Sequence, residues 1–142
     1  MTERTFLESS RYCRWDGSSK LAKQAKKLAK QSRKDTITEV YRYVATMFSY
    51  DRAKADKLRG TKGYVPDPEA TYEERSGICF DKASLMCAML RSLGIPAKLV
   101  VGTIDGASHA WVSAFDGKTW LKCDPTMLGW QTDREYVKTH EL

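Results

Sequence analysis

Between Cys79 and Leu93 the chain is apolar on nearly every side of a helical wheel, through Phe80, Ala83, Leu85, Met86, Cys87, Met89 and Leu90. A surface helix shows one apolar stripe, whereas a helix apolar most of the way round has to be wrapped by other elements. Gly94 stops it and Pro96 follows, a common way to end a helix. The chain has 142 residues, the size of one domain. The rest of the chain therefore reads as the cover of one central helix.

Three strand candidates come next. Ala97–Ile104 is strongly apolar and β-branched, and His109–Phe115 and Lys118–Asp124 alternate. Asp116-Gly117 between the last two reads as a two-residue hairpin turn. Upstream, Ser18–Arg33 predicts a helix capped by Ser18 or Ser19 after the Asp16-Gly17 turn, with Leu21, Ala25, Leu28 and Ala29 on one face. Thr36–Ser49 predicts another, capped by Asp35 or Thr36 with Glu39 as in a capping box, and striped by Ile37, Val40, Tyr41, Val44 and Phe48. The 52–76 segment, with Gly60, Gly63, Pro66 and Pro68, reads as a long functional loop. The fold class is thus α+β: N-terminal helices and a buried helix packed on an antiparallel β-meander. The organisation expected is an N-terminal arm over 1–17 and a single domain over 18–142, its core at 36–126.

The net charge of +6 is local. Lys20, Lys23, Lys26, Lys27, Lys30, Arg33 and Lys34 fall in 18–34 without an acid, and the remainder is close to neutral. Lys20, Lys23, Lys27, Lys30 and Lys34 share one helix face, which reads as a solvated surface or a site for an anionic partner. Aromatic interleaving is absent there, so specific nucleic-acid binding is not expected. No apolar run approaches the roughly 18 residues of a membrane span. The N-terminus lacks a signal-peptide pattern, which leaves a cytoplasmic protein or an exported domain whose signal lies elsewhere. Cys13, Cys79, Cys87 and Cys123 form no C-x-x-C pair and are too sparse for a disulfide scaffold. No metal or other cofactor is expected.

Cys79 opens the buried helix, where the dipole and unpartnered N–H groups favour a thiolate. If the 116–117 turn pairs Phe115 with Lys118, His109 lies directly opposite Asp124 on one sheet face. A carboxylate so placed fixes the ring's tautomer and favours its charged form. Taken singly, each residue has a structural reading: a core cysteine, a structural histidine, an aspartate starting a turn before Pro125. Together they form a nucleophile, a base and an orienting group suited to acyl transfer. Cys87 and Cys123 read as core, Cys13 has no reading, and His140 reads as surface.

The motifs around these residues run further. Ser76-Gly77-Ile78-Cys79, Leu90-Arg91-Ser92-Leu93-Gly94-Ile95-Pro96-Ala97-Lys98, His109-Ala110-Trp111, and Trp120 followed by Asp124-Pro125-Thr126 resemble the transglutaminase-like superfamily. This is the papain-related group with chain order Cys, His, Asp, and the likeness is to its bacterial members. The resemblance implies the papain-like/transglutaminase-like core, with Cys79 as nucleophile, His109 as base and acid, and Asp124 as orienting residue. It implies a thioester formed from an amide of a protein or peptide. Water as acceptor makes a protease or amidase, the expected activity; an amine makes a cross-linking transglutaminase. A binding module that keeps the fold without catalysis is the third reading. Beside the triad, Gly77 would allow close approach of substrate or backbone, Trp111 would line the site, and Tyr50 would supply a second oxyanion donor.

Overall fold

The computed structural model describes residues 6–59, 61–127 and 135–142. Its helices are α1 (Lys20–Leu28), α2 (Arg33–Met47), α3 (Arg52–Leu58), α4 (Pro68–Glu74) and α5 (Cys79–Ser92). Its strands are β1 (Ser49–Tyr50), β2 (Ser76–Gly77), β3 (Ala97–Ile104), β4 (Ala107–Phe115), β5 (Trp120–Cys123) and β6 (Tyr136–Glu141). The expected α+β architecture is present: α5 lies between a helical layer and an antiparallel sheet of order β5-β4-β3-β6. Leu85, Met86, Met89 and Leu90 of α5 are fully buried, packed with Ile37, Val40 and Val44 of α2 and Leu99 and Val112 of the sheet. Among the described residues, no helix is long and apolar enough to cross a membrane.

The helical layer departs from expectation in its boundaries. Helix α1 buries Leu21, Ala22 and Ala25 and ends at Leu28, short of Arg33. The chain breaks there because the Lys30 amide donates to the Thr36 hydroxyl, 2.8 Å away. Ser32 then caps α2 by accepting from the Asp35 amide at 3.0 Å. Thr36, expected as the cap, sits inside the first turn and donates to the Ser32 carbonyl.

The 52–76 segment is not a loop. Asp51 caps α3 through the Lys54 amide, Asp67 caps α4 through the Ala70 amide, and Pro68 occupies the start of α4, where a missing N–H costs nothing. Both helices have seven residues, too few to repeat an apolar period. Between α2 and α5, strands β1 and β2 pair in parallel, Ser49 with Ser76 and Tyr50 with Gly77. This short ladder fixes the chain entering α5.

The N-terminal segment is fastened by Arg91, a fully buried guanidinium on α5. It donates to the carbonyls of Ala97, Glu8 and Leu142 and to the Ser10 hydroxyl. Strand β6, which no alternation announces, is joined to β3 across a bulge at Val101/Gly102. A Cβ built on Gly102 would stand 2.0 Å from the Val137 carbonyl oxygen. Gly102→Ala is therefore expected to force β6 away from β3 and cost about 1–3 kcal/mol or more. Thermal unfolding and amide exchange over 136–141 would read this. Unchanged exchange there would contradict the close approach.

Candidate active site

Cys79 is the first residue of α5, with Ile78 as N-cap. Isoleucine offers the helix no side-chain acceptor; Asp81 compensates by accepting the Ile78 amide at 3.0 Å. Asp81 is fully buried and also accepts from the Tyr64 hydroxyl and from the Lys54 ammonium, the latter at 2.8 Å. Burial works against the Lys54 charge, but the Asp81 carboxylate outweighs it and raises the Lys54 pKa. Burial, then Asp81, pushes the Tyr64 phenol up to about 12. A neutralised network thus ties α3 and the segment after it to the helix end that carries the thiol.

His109 Nε2 is 2.7 Å from Asp124 Oδ2, and both side chains are almost sealed, 8% and 2% exposed. The route to this contact differs from the expected one. The Asp116 carboxylate accepts the Lys118 and Thr119 amides, each at 2.8 Å, so the turn opens to 116–119. Phe115 therefore pairs with Trp120 instead of Lys118, and Val112 with Cys123. A shift of two residues keeps every side chain on its face. Asp124, just beyond β5, stays on the face of His109 and Trp111 and reaches the ring diagonally instead of head-on.

Cys79 also acts on the imidazole, favouring its charged form. Burial disfavours the charged ring; Asp124 and then Cys79 outweigh it and push the His109 pKa up to about 9. Cys79 and His109 both line a cavity of about 280 Å³.

Three other expected residues sit differently from one another. Trp111 is buried and stacks on His109, ring centroids 6.2 Å apart, so it backs the imidazole and does not line the cavity. Gly77 is also away from the cavity wall: a Cβ there would lie 2.6 Å from the Asp81 Cβ, so the close approach it permits is Asp81's. Tyr50 ends β1 beside Gly77, half-exposed. Burial and then the charge of Cys79 raise its phenol pKa.

Sequence reasoning missed several groups. Tyr136 of β6 donates to Asp124 Oδ2 at 2.9 Å and meets the Trp111 ring edge-on, while the Thr126 amide donates to Asp124 Oδ1 at 3.1 Å. Lys82 is buried and donates to the Phe48 carbonyl at 3.0 Å; burial lowers its pKa while Asp124 opposes. The signal available for Asp81 and Lys82 was two charged residues inside an otherwise apolar helix. Tyr136 had none. The other thiols, Cys13, Cys87 and Cys123, are fully buried, and burial raises those of Cys87 and Cys123. His140 is exposed on β6.

Known proteins share this framework. An uncharacterized protein of Mycobacterium leprae is 31% identical over 121 residues, which cover 77% of this chain and 41% of the relative. The crystal structure of a candidate cysteine protease from Cytophaga hutchinsonii matches 95% of this chain and 45% of its own, with TM-score 0.74 and 26% identity. A TGase crystal structure matches 84% of this chain and 32% of its own, with TM-score 0.62 and 25% identity. The chain thus spans less than half the length of each of these relatives. The family model for the transglutaminase-like superfamily matches residues 19–125, from the head of α1 to just past Asp124. It spans Cys79, His109 and Asp124 together with all the elements described except β6, and so this chain belongs to the transglutaminase-like superfamily.

Proposed function

We propose that this chain is a cysteine acyl-transfer enzyme that cleaves amide bonds of proteins or peptides, with Cys79 as nucleophile. The observation that carries the reading is the His109 ring hydrogen-bonded to Asp124 at 2.7 Å and lining one cavity with Cys79. The Cys79 sulfur adds to the scissile carbonyl. The developing oxyanion meets the first-turn N–H groups of α5, which have no intrahelical acceptor. Tyr50, whose raised pKa keeps its proton at neutral pH, is the candidate second donor. The His109 proton passes to the departing amine and a thioester remains. His109 then takes a proton from water, which hydrolyses the thioester and regenerates the thiol.

Water is the favoured acceptor because it is abundant and no dedicated amine site is visible among the described residues. The likeness to a TGase structure supports cross-linking to an amine as the second reading. A binding module would leave the thiol, ring and carboxylate without a shared task. The exposed basic segment is a candidate contact for an anionic surface. The single helix face expected for these lysines does not form, because α1 ends at Leu28: Lys20 is paired with Glu73 at 2.7 Å, Lys23 and Lys27 are exposed on α1, Lys30 lies in the link after it, and Lys34 sits at the head of α2. Such binding should weaken steeply with salt.

Iodoacetamide tests the core of the reading. Cys79 is the one half-buried thiol of the four, and stoichiometric labelling near neutral pH should select it and abolish turnover. Labelling no faster than a free thiol of pKa about 8.5 would sink the proposal. The leaving amine needs the imidazolium proton, so kcat/KM should fall as pH rises through about 9. An alkaline limb near 6.5 would mean that His109 is not held by Asp124 and Cys79 during turnover.

A further inference from the structure

The cavity beside Cys79 carries information on the substrate, and this inference rests on the acyl-transfer reading. Its walls are Leu58 of α3, Tyr64 after it, Ile78 and Phe80 at the head of α5, and Val101 and Ala110 of the sheet. Among the described residues, no Asp, Glu, Lys or Arg lines it, although the chain carries a net charge of +6. The nearest charges are turned away. The Tyr64 hydroxyl points to Asp81, so that side chain offers its ring, edge-on to Phe80 at 6.1 Å. Lys54 is neutralised by the same carboxylate. The other lining residues with polar side chains, apart from the reacting pair and Tyr64, are Thr61 and Ser108.

We propose that this cavity binds an apolar side chain of the acyl donor, aromatic or branched aliphatic, close to the scissile carbonyl. A volume of about 280 Å³ is below that of drug-sized sites and fits one large side chain. A charged side chain entering it would lose water and, outside the reacting pair, find no partner of opposite charge, whereas an apolar one loses nothing. The position of Cys79 and His109 in the same wall makes the occupant part of the substrate. Asp81, Lys54 and Tyr64 act as positioning residues, because they hold α3 and Tyr64 in place as the far wall.

The test is a set of fluorogenic peptide amides, differing only in the residues flanking the scissile bond on its acyl side, with p-nitrophenyl acetate as a donor that has no side chain. Leu, Phe or Val should exceed Glu or Lys by at least tenfold in kcat/KM. Leu58→Lys at the half-buried edge of the wall should shift the Glu-to-Leu preference at least tenfold toward Glu. Thr61→Lys, at an exposed position, offers the same test with little risk to folding. Acetate turnover at Cys79 with equal use of all side chains, or rim variants that leave the preference unchanged, would overturn the apolar-site proposal alone. Absence of any Cys79 acylation by the acetate ester would overturn the acyl-transfer reading and this proposal with it.

Discussion

Replacing Cys79 with alanine is expected to lower amide turnover by at least about 10³-fold and to abolish the covalent adduct seen by mass spectrometry. The prediction is large because no second thiol can substitute. Cys13, Cys87 and Cys123 are fully buried and none lines the cavity with His109. It is also specific. Alanine at the first residue of α5 keeps the Ile78–Asp81 cap and the apolar packing of the helix, so the melting temperature should change little. The imidazole loses one of the two partners that raise it, and its pKa, read by NMR, should fall below about 9. Residual turnover within tenfold of the parent would show that Cys79 does not carry the chemistry.

Removing Asp124 should cost nearly as much, through the ring. Asp124→Ala deletes the acceptor for His109 Nε2, for the Tyr136 hydroxyl and for the Thr126 amide. Turnover should drop by about 10²–10⁴-fold, the scale seen when a triad loses its orienting group. Stability should drop as well, by about 1–3 kcal/mol for the nearly sealed His109 N–H left without an acceptor. Asp124→Asn separates these effects. It keeps the side-chain shape but no charge, so the alkaline limb should move down from about 9 toward 6.5. An Asp124→Asn enzyme with its limb still near 9 would mean that the carboxylate charge does not set the His109 proton.

The hairpin shows how sequence reasoning can arrive correctly by a wrong path. A two-residue turn at Asp116-Gly117 was a sound local inference, and it did not form because Asp116 uses its own carboxylate on two amides. The face assignment survived because the error was even: a strand shifted by two residues still points the same side chains at the same neighbours. A shift of one would have separated His109 from Asp124. Helices α3 and α4 failed for a different reason. Their signals were the caps Asp51 and Asp67 and the proline at the head of α4, which looked like loop residues because too few turns followed them.

What the amino-acid order alone determined is the part governed by short-range periodicity. The apolar run from Cys79 to Leu93 specified a central helix, Gly94 and Pro96 its end, and the alternating segments a sheet bearing His109 and Asp124 on one face. The motifs around these residues carried the family. Only the tertiary structure decided what stands behind the site. Tyr136 reaches Asp124 because β6 adds to the far edge of β3, and Gly102 leaves room for that strand. Asp81, Lys54 and Tyr64 meet from three separate segments. Such contacts depend on which chain segments are brought together in space, and no local period encodes that. The central helix is legible because its burial is written along its own residues, whereas a buried charge becomes intelligible only when its partner is in place.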